Sequence, residues 1–539
     1  MTTSSWFINI KDRHLCIPVQ SSSVYFLHTP EQFYETLLQR IGSAKQRVVL
    51  SALYLGSDAL EQRLVDCLAQ AAAAAAPPPT ATPDQEAGLL QQHDGNNNSS
   101  DGRQQRMLSV SILLDFFRAT RGATTAGTSS TTMLAPLTAN ENVEVRLFHT
   151  PKLRGILKSV LSERVNEVVG LQHMKFFVFD DTVLITGANL SDQYFVNRQD
   201  RYLLIEHCPV LADFFVDLFH VVGAHSFRLR PDGHVDEFPG GPTSPVHPET
   251  GSLPHIQRQI NDAVCKLFTK FKARVAEATA AGCSPSSACA IVDDNGKQYN
   301  NNNKEEEGTF VVPFLQMGLF NVNQEVELFS KLFSQDDGGG GNNMALTLMT
   351  AYFNLSDTYA DLILHKCRFP VNIVFASPKA NGFLGADGLS GHIPSLYEHC
   401  ALAFVRRTLQ ANQADRLAFA EWVRPGWTFH AKGLWVEERQ QQQQQGSAAD
   451  GAATASHCCG RRVATVVGSS NFGFRSAQRD LEAQLLLVTD NEALKGRIAE
   501  EKNSLLAHAE VLDPSTFLRR DCLIPAWLKY CARLFRNFF

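Results

Sequence analysis

HMKFFVFD, His173 to Asp180, and HAKGLWVE, His430 to Glu437, are two copies of one pattern. Each sets a His and a Lys two residues apart in a run rich in Phe, Val, Leu and Trp, so both side chains project from one face of a strand. An imidazole beside a fixed ammonium is a nucleophile beside a cation. Two such pairs facing each other suffice to cleave and remake a phosphodiester without a metal.

Outward from each pair the parallel continues. VLITGANLSDQYF puts Asn189 after a short DDT turn, which suits a hairpin bringing it beside His173 and Lys175, and VATVVGSSNFGFR puts Asn471 in the equivalent place beyond His430 and Lys432. Eleven residues past each Asn stands a carboxylate, Asp200 in NRQDRYLL and Glu482 in RDLEAQLLL. A carboxylate that accepts the Nδ1 proton of a catalytic His fixes its tautomer and leaves Nε2 aimed at phosphorus. Arg198, Arg201, Arg475 and Arg479 flank these segments, and two readings stand side by side: guanidinium forks for a substrate phosphate, or partners of Asp200, Asp480 and Glu482. Asp180 and Glu437 lie at odd offset from the His and Lys, so they point to the opposite strand face, where a structural role is expected.

The halves align beyond the motifs. VVLSALYLGSD ending at Asp58 parallels TLMTAYFNLSD ending at Asp357, VSILLDFFRATRG from Val110 parallels VNIVFASPKANGF from Val371, and VEVRLFHTP from Val143 parallels RLAFAEWVRPG from Arg416. Two long, non-identical copies imply a duplicated α/β fold, mixed sheets flanked by helices, with one active site at the lobe interface. The expected layout is an N-terminal extension over 1–23, a first lobe over 24–231 with a disordered insertion near 71–105, and a linker with a low-complexity segment over 232–308. A second lobe over 309–539 carries a glutamine-rich insertion near 439–460 and an amphipathic tail. Segments such as AAAAAAPPPT and NNNNKEEEG cannot bury enough apolar surface to offset their ordering entropy.

Composition narrows the chemistry. A net charge of -6 gives no general affinity for nucleic acid, which counts against a nuclease and its basic groove. The 12 Cys include no CxxC pair, so reduced thiols are expected and a zinc site is not. No GxxxxGK[ST] loop, HExxH or DGxxAR occurs, which removes support for nucleotide-driven, zinc-protease and metal-dependent alcohol phosphotransferase readings. The opening segment has neither an apolar signal core nor the arginines of a convincing presequence, and no run is long and apolar enough for a spanning helix.

The paired H-x-K-x4-D signatures, followed by G-x-N and G-S-x-N, resemble the phospholipase D superfamily. Within it LQHMKFFVFD, GANLSDQYFVNRQDRY, FHAKGLWV, GSSNFGFRS and RDLEAQLL are similar to the eukaryotic phosphatidylglycerophosphate synthases, from about Val24 to Phe539 apart from the insertions. The resemblance implies an enzyme that moves a phosphatidyl group from CDP-diacylglycerol to glycerol 3-phosphate, releasing CMP. It implies a phosphatidyl-histidine intermediate on His173, with His430 protonated to assist CMP departure and then acting as base. Lys175, Lys432, Asn189 and Asn471 would hold the transferring oxygens, and Ser469 of the G-S-x-N run joins the substrate-binding set. Asp180 matches the pattern, whereas Glu437 stands where it has Asp. No cofactor is required for such chemistry, and divalent-ion stimulation is compatible with it. The implied compartment is the mitochondrion, peripheral to the inner membrane. Alternatives are another superfamily phosphodiesterase (a phospholipase, a phosphatidylserine synthase-like enzyme or a nuclease) and an inactive scaffold. Both His, both Lys and both Asn are present, against the scaffold.

A lipid donor requires membrane access. PKLRGILKSVLSERV from Pro151 and IPAWLKYCARLFRNFF at the C-terminus each combine an apolar helical face with Lys and Arg, as an anionic interface favours; core packing competes for the first and the tail leans to membrane. No oligomeric state is read from the sequence.

Overall fold

The computed structural model describes residue 10 and residues 13–74, 107–122, 127–154, 169–236, 246–281, 308–334, 344–438 and 462–538. The first lobe contributes strands β1 (Val24–Leu27), β2 (Arg47–Ser51), β3 (Ser109–Asp115), β4 (Val143–Phe148), β5 (Phe176–Phe179), β6 (Thr182–Thr186), β7 (Tyr202–Ile205) and β8 (Ser226–Leu229). They form one sheet in the order β8-β4-β3-β2-β5-β6-β7-β1. The second lobe contributes β9 (Phe310–Met317), β10 (Met344–Thr350), β11 (Val371–Ala376), β12 (Leu417–Trp422), β13 (Gly433–Glu438), β14 (Val463–Gly468), β15 (Glu482–Thr489) and β16 (Ala509–Val511). Their order, β16-β12-β11-β10-β13-β14-β15-β9, repeats the first strand for strand. In both, the three central strands β2-β3-β4 and β10-β11-β12 run parallel and the remaining neighbours antiparallel. The sequence repeat is thus a topological repeat.

Near-continuous apolar strands such as FFVF and TVLIT are buried on both faces, which suits a sheet covered on both sides. A central core joins the inner faces of both sheets, with Val178, Ile185 and Leu203 of one meeting Trp435, Val467 and Leu485 of the other. Each outer face packs its own helices in a separate cluster.

Three expected boundaries shift. Within the stretch read as a linker, Leu253–Ala280 is a helix whose Ile256, Ile260, Val264, Leu267 and Phe271 are buried in the central core. Phe268 and Phe271 meet Phe214 edge-on. Within the stretch read as an extension, Ile17–Pro18 pairs with Phe310 and Val311 on the edge of the second lobe's sheet. The insertion read from residue 71 starts later, because Ala59–Ala74 is a helix and Ala72 is buried. Most of the amphipathic run from Pro151 and the glutamine tract lie outside the described residues.

Candidate active site

The chain leading into β5 runs beside the chain leading into β15: His173 N–H donates to Leu481 O at 3.0 Å and Leu481 N–H to Leu171 O at 2.8 Å. The pseudo-equivalent pairing joins Thr428–Phe429 to Arg198–Gln199, and His430 N–H donates to Gln199 O at 2.7 Å. These two short parallel pairings carry each His to the other lobe's carboxylate. His173 Nδ1 lies 2.9 Å from Glu482 Oε2, and His430 Nδ1 lies 2.6 Å from Asp200 Oδ2. Asp200 and Glu482 therefore serve the histidine of the opposite lobe. Each half-site is completed only by its partner.

The electrostatics follow from burial. Loss of solvation lowers the pKa of His173, with Glu482 opposing, and lowers that of His430 well below the ordinary value, with Lys432 and Arg198 adding to the effect. Burial pushes Asp200 up to about 6, which leaves it ionised at neutral pH, while the Glu482 carboxyl, despite its burial, is held low chiefly by His173. A neutral imidazole donating Nδ1–H to a carboxylate presents a lone pair at Nε2. Burial thus favours the neutral form of both imidazoles. Burial also depresses Lys175 to about 7 and Lys432 to about 8. Each ammonium donates to the carbonyl of the His two residues before it, at 2.8 and 2.7 Å, behind the cavity wall.

His173, His430, Asn189 and Asn471 line one cavity of about 600 Å³. It opens at the C-terminal ends of the parallel strands, the usual ligand crevice of an α/β sheet. Among the described residues, Asn189 Oδ1 and Asn471 Oδ1 are buried with no hydrogen-bond partner, acceptors that a donor group of a ligand would satisfy. Arg198 and Arg475 also reach the cavity; Arg475 pairs with Asp480 at 3.2 Å, whereas the buried Arg198 meets Thr428 Oγ1 at 3.0 Å, Gln193 Oε1 and the Tyr194 ring.

The other expected residues are placed elsewhere. Arg201 is buried against Trp435 and paired with Glu501 at 2.6 Å, so it ties strands together and contacts no substrate space. Arg479 lies over Phe474 and does not line the cavity. The Ser469 hydroxyl donates to Glu482, making it a support of that carboxylate, with no face to the cavity. Asp180 accepts the backbone N–H groups of Lys45, Gln46 and Arg47, fixing the β5–β6 turn, and Glu437 pairs with Lys502. Neither acidic member of the motif lines the cavity: Asp180 sits in the turn after β5 and Glu437 on β13.

Sequence reasoning did not single out Arg118, Arg121, Tyr54, Tyr194, Tyr352 or Tyr397, all of which line the cavity. Arg118 and Arg121 follow β3 directly, and position just past a parallel strand was the available signal.

Against this geometry stand the comparisons. No protein-family model matches the chain. It is 37% identical over 524 residues to the Gallus gallus protein named "CDP-diacylglycerol--glycerol-3-phosphate 3-phosphatidyltransferase, mitochondrial", covering 97% of this chain and 84% of that one. The Homo sapiens protein of the same name is 36% identical over 523 residues with the same coverage. The chain belongs to this phosphatidyltransferase family. A probable member from Dictyostelium discoideum is 30% identical, covering 96% of this chain and 78% of its own. The crystal structure of phosphatidylserine synthase from Haemophilus influenzae Rd KW20 superposes with a TM-score of 0.62 at 19% identity, covering 98% of this chain and 96% of that one. That likeness shows that the two proteins share one overall fold. The vertebrate family members are named mitochondrial, and the mitochondrion is accordingly the compartment of this phosphatidyltransferase.

Proposed function

We propose that the cleft transfers the phosphatidyl group of CDP-diacylglycerol to glycerol 3-phosphate, releasing CMP, by two displacements at one phosphorus. The observation that carries the chemistry is the Glu482–His173 pair: its Nδ1 is bound, and its Nε2 has no hydrogen-bond partner among the described residues and faces the cavity. In the first displacement the Nε2 lone pair forms a bond to the diacylglycerol-bearing phosphorus as the bond to the CMP oxygen breaks. CMP leaves as a phosphate anion, a leaving group that requires no protonated His430. In the second, the acceptor hydroxyl oxygen attacks phosphorus, its proton passes to the His430 side, and the phosphorus–nitrogen electron pair returns to His173. Amide N–H groups of Asn189 and Asn471 donate to the transferring oxygens, and the two buried lysines supply positive potential from behind.

The acceptor's own phosphate distinguishes transfer from hydrolysis. Arg198 is the strongest candidate to bind it, because among the described residues its buried guanidinium hydrogen-bonds neutral partners. The side chains present supply nucleophile, base and positive potential, so in this reading the chemistry itself uses no cofactor. Purified protein with CDP-diacylglycerol should form a lipid product that requires glycerol 3-phosphate. Hydrolysis alone, or no turnover, would refute the reading.

Peripheral binding to the inner membrane belongs to the same reading. No described helix is long and apolar enough to cross a membrane. The helix Ala526–Phe535 buries Leu528 and Ala532 against the second lobe yet leaves Trp527, Tyr530, Leu534 and Phe535 between 47% and 64% exposed. Arg533 and Arg536 stand beside them, and the Trp527 ring lies 5.1 Å from that of His392, which neighbours the cavity residues Ser390 and Ile393. An apolar ridge with cations at the cavity mouth suits an anionic bilayer. Replacing Trp527, Tyr530 and Leu534 together by Ser should abolish flotation with anionic liposomes while leaving the melting temperature intact; undiminished flotation would exclude the ridge.

A further inference from the structure

The two half-sites carry the same His, Lys, Asn and carboxylate set but differ in what meets the reacting nitrogen: Lys432 Nζ lies 3.2 Å from His430 Nε2, and a tyrosine joins it there. Tyr194 OH lies 3.1 Å from His430 Nε2, and Asn189 Nδ2 donates to the same hydroxyl at 3.1 Å. Because the amide occupies an acceptor site on the tyrosine oxygen, the hydroxyl proton points to His430, whose Nδ1 is shared by Asp200 Oδ2 and Lys432 Nζ, each at 2.6 Å. Donation therefore runs from Asn189 through Tyr194 to His430 Nε2, which Lys432 Nζ also approaches at 3.2 Å. The Tyr194 ring stands edge-on to His430, with centroids 4.9 Å apart, and carries the Arg198 guanidinium on its face at 4.7 Å. Packing fixes the hydroxyl in place.

In the second lobe the residue five past the motif Asn is Ser476, where the first lobe has Tyr194. Its hydroxyl accepts the backbone N–H of Asn471 at 3.1 Å. A serine is too short to reach across, and His173 Nε2 is left uncovered.

We propose that Tyr194 is the residue that divides labour between the two histidines: by holding Nε2 of His430 it keeps that imidazole from attacking phosphorus and makes it the acceptor-side base. The inference rests on the transfer reaction above. In the acceptor step the glycerol 3-phosphate O–H bond breaks as its oxygen bonds to phosphorus. The Tyr194 oxygen takes that proton while passing its own to His430 Nε2, and the pair of electrons in the phosphorus–nitrogen bond returns to His173. The imidazolium then releases one proton to solvent. In the CMP step no proton moves, because the leaving phosphate departs as an anion. Tyr194 is needed for one half-reaction and dispensable in the other.

Tyr194→Phe in the full chain separates them. Exchange of labelled CMP into CDP-diacylglycerol, measured without acceptor, should stay within about threefold of wild type, whereas transfer to glycerol 3-phosphate should fall about a hundredfold, the ordinary range for a lost proton-transfer group. The limb of the transfer pH profile that reports the base should move, a change that mere loss of packing would not produce. Transfer within threefold of wild type would overturn the assignment, as would a parallel loss of exchange and transfer. A wild-type protein that exchanges CMP but forms no acceptor-dependent product would instead refute the transfer reading.

Discussion

At the scale of single residues, the set gathered at the cleft was legible because it is marked by side-chain type and spacing. His173, Lys175, Asn189 and their counterparts His430, Lys432 and Asn471 could be named from strand parity and the repeated offsets. Parity placed Asp180 and Glu437 on the far strand face, whereas Asp180 lies past the end of β5 in the turn. What spacing could not convey is solvation. The depressed lysines and the neutral histidines arise from burial between lobes, which no local pattern records. Tyr194 went unnoticed for a related reason, since SDQYF reads as an ordinary amphipathic turn until its partner 236 residues away is in place. These environments set a pH dependence. Asp200, raised to about 6, is protonated in acid and then no longer fixes the His430 tautomer, so kcat/KM should fall as pH drops through about 6. Lys175, lowered to about 7, and Lys432, lowered to about 8, lose their charge above those values, so kcat/KM should also fall as pH rises through 7 to 8. The bound anionic substrate favours the charged lysines, so the alkaline limb of kcat should lie higher than that of kcat/KM. A flat profile from pH 6 to 9 would contradict this electrostatic account.

At the scale of elements, the hairpin of β5 and β6 was readable from an apolar run, a two-residue polar turn and a second apolar run. The turn holds Asp180 at φ +51°, and its carboxylate accepts three backbone N–H groups at the start of β2. Asp180→Ala should therefore lower stability by about 1–3 kcal/mol, as loss of a charged hydrogen-bond acceptor does, and leave kcat of the folded fraction near wild type. A large fall in kcat with an unchanged melting temperature would return Asp180 to the chemistry. The helix Leu253–Ala280 was equally readable from its apolar spacing of three and four, but the low-complexity stretch beside it drew the whole interval into a linker. The short pairing of Ile17–Pro18 to β9 was not readable, because two residues carry no period and the partner lies in the distant lobe.

For the whole molecule, duplication predicted two lobes and one cleft, and the sheets repeat each other strand for strand. The exchange of carboxylates between lobes was hidden, because equal offsets in both halves are compatible with pairing inside a lobe or across it. Only the parallel segments at Leu171–His173 and Thr428–His430 decide it. The exchange makes each mutation act on the far lobe: Glu482→Gln should slow CMP exchange through His173, and Asp200→Asn should slow transfer while sparing exchange, by about a hundredfold in each affected step. If each variant impaired only the step assigned to the histidine of its own lobe, the cross-lobe pairing would be wrong. The central claim is that one cleft, built by both lobes, carries the phosphatidyl group on His173. Labelled CDP-diacylglycerol, quenched without acceptor and followed by peptide mapping under alkaline conditions, tests it most directly. The label should reside on the peptide containing His173; label on the peptide containing His430, or rapid acceptor-dependent turnover with no labelled peptide at any quench time, would contradict it.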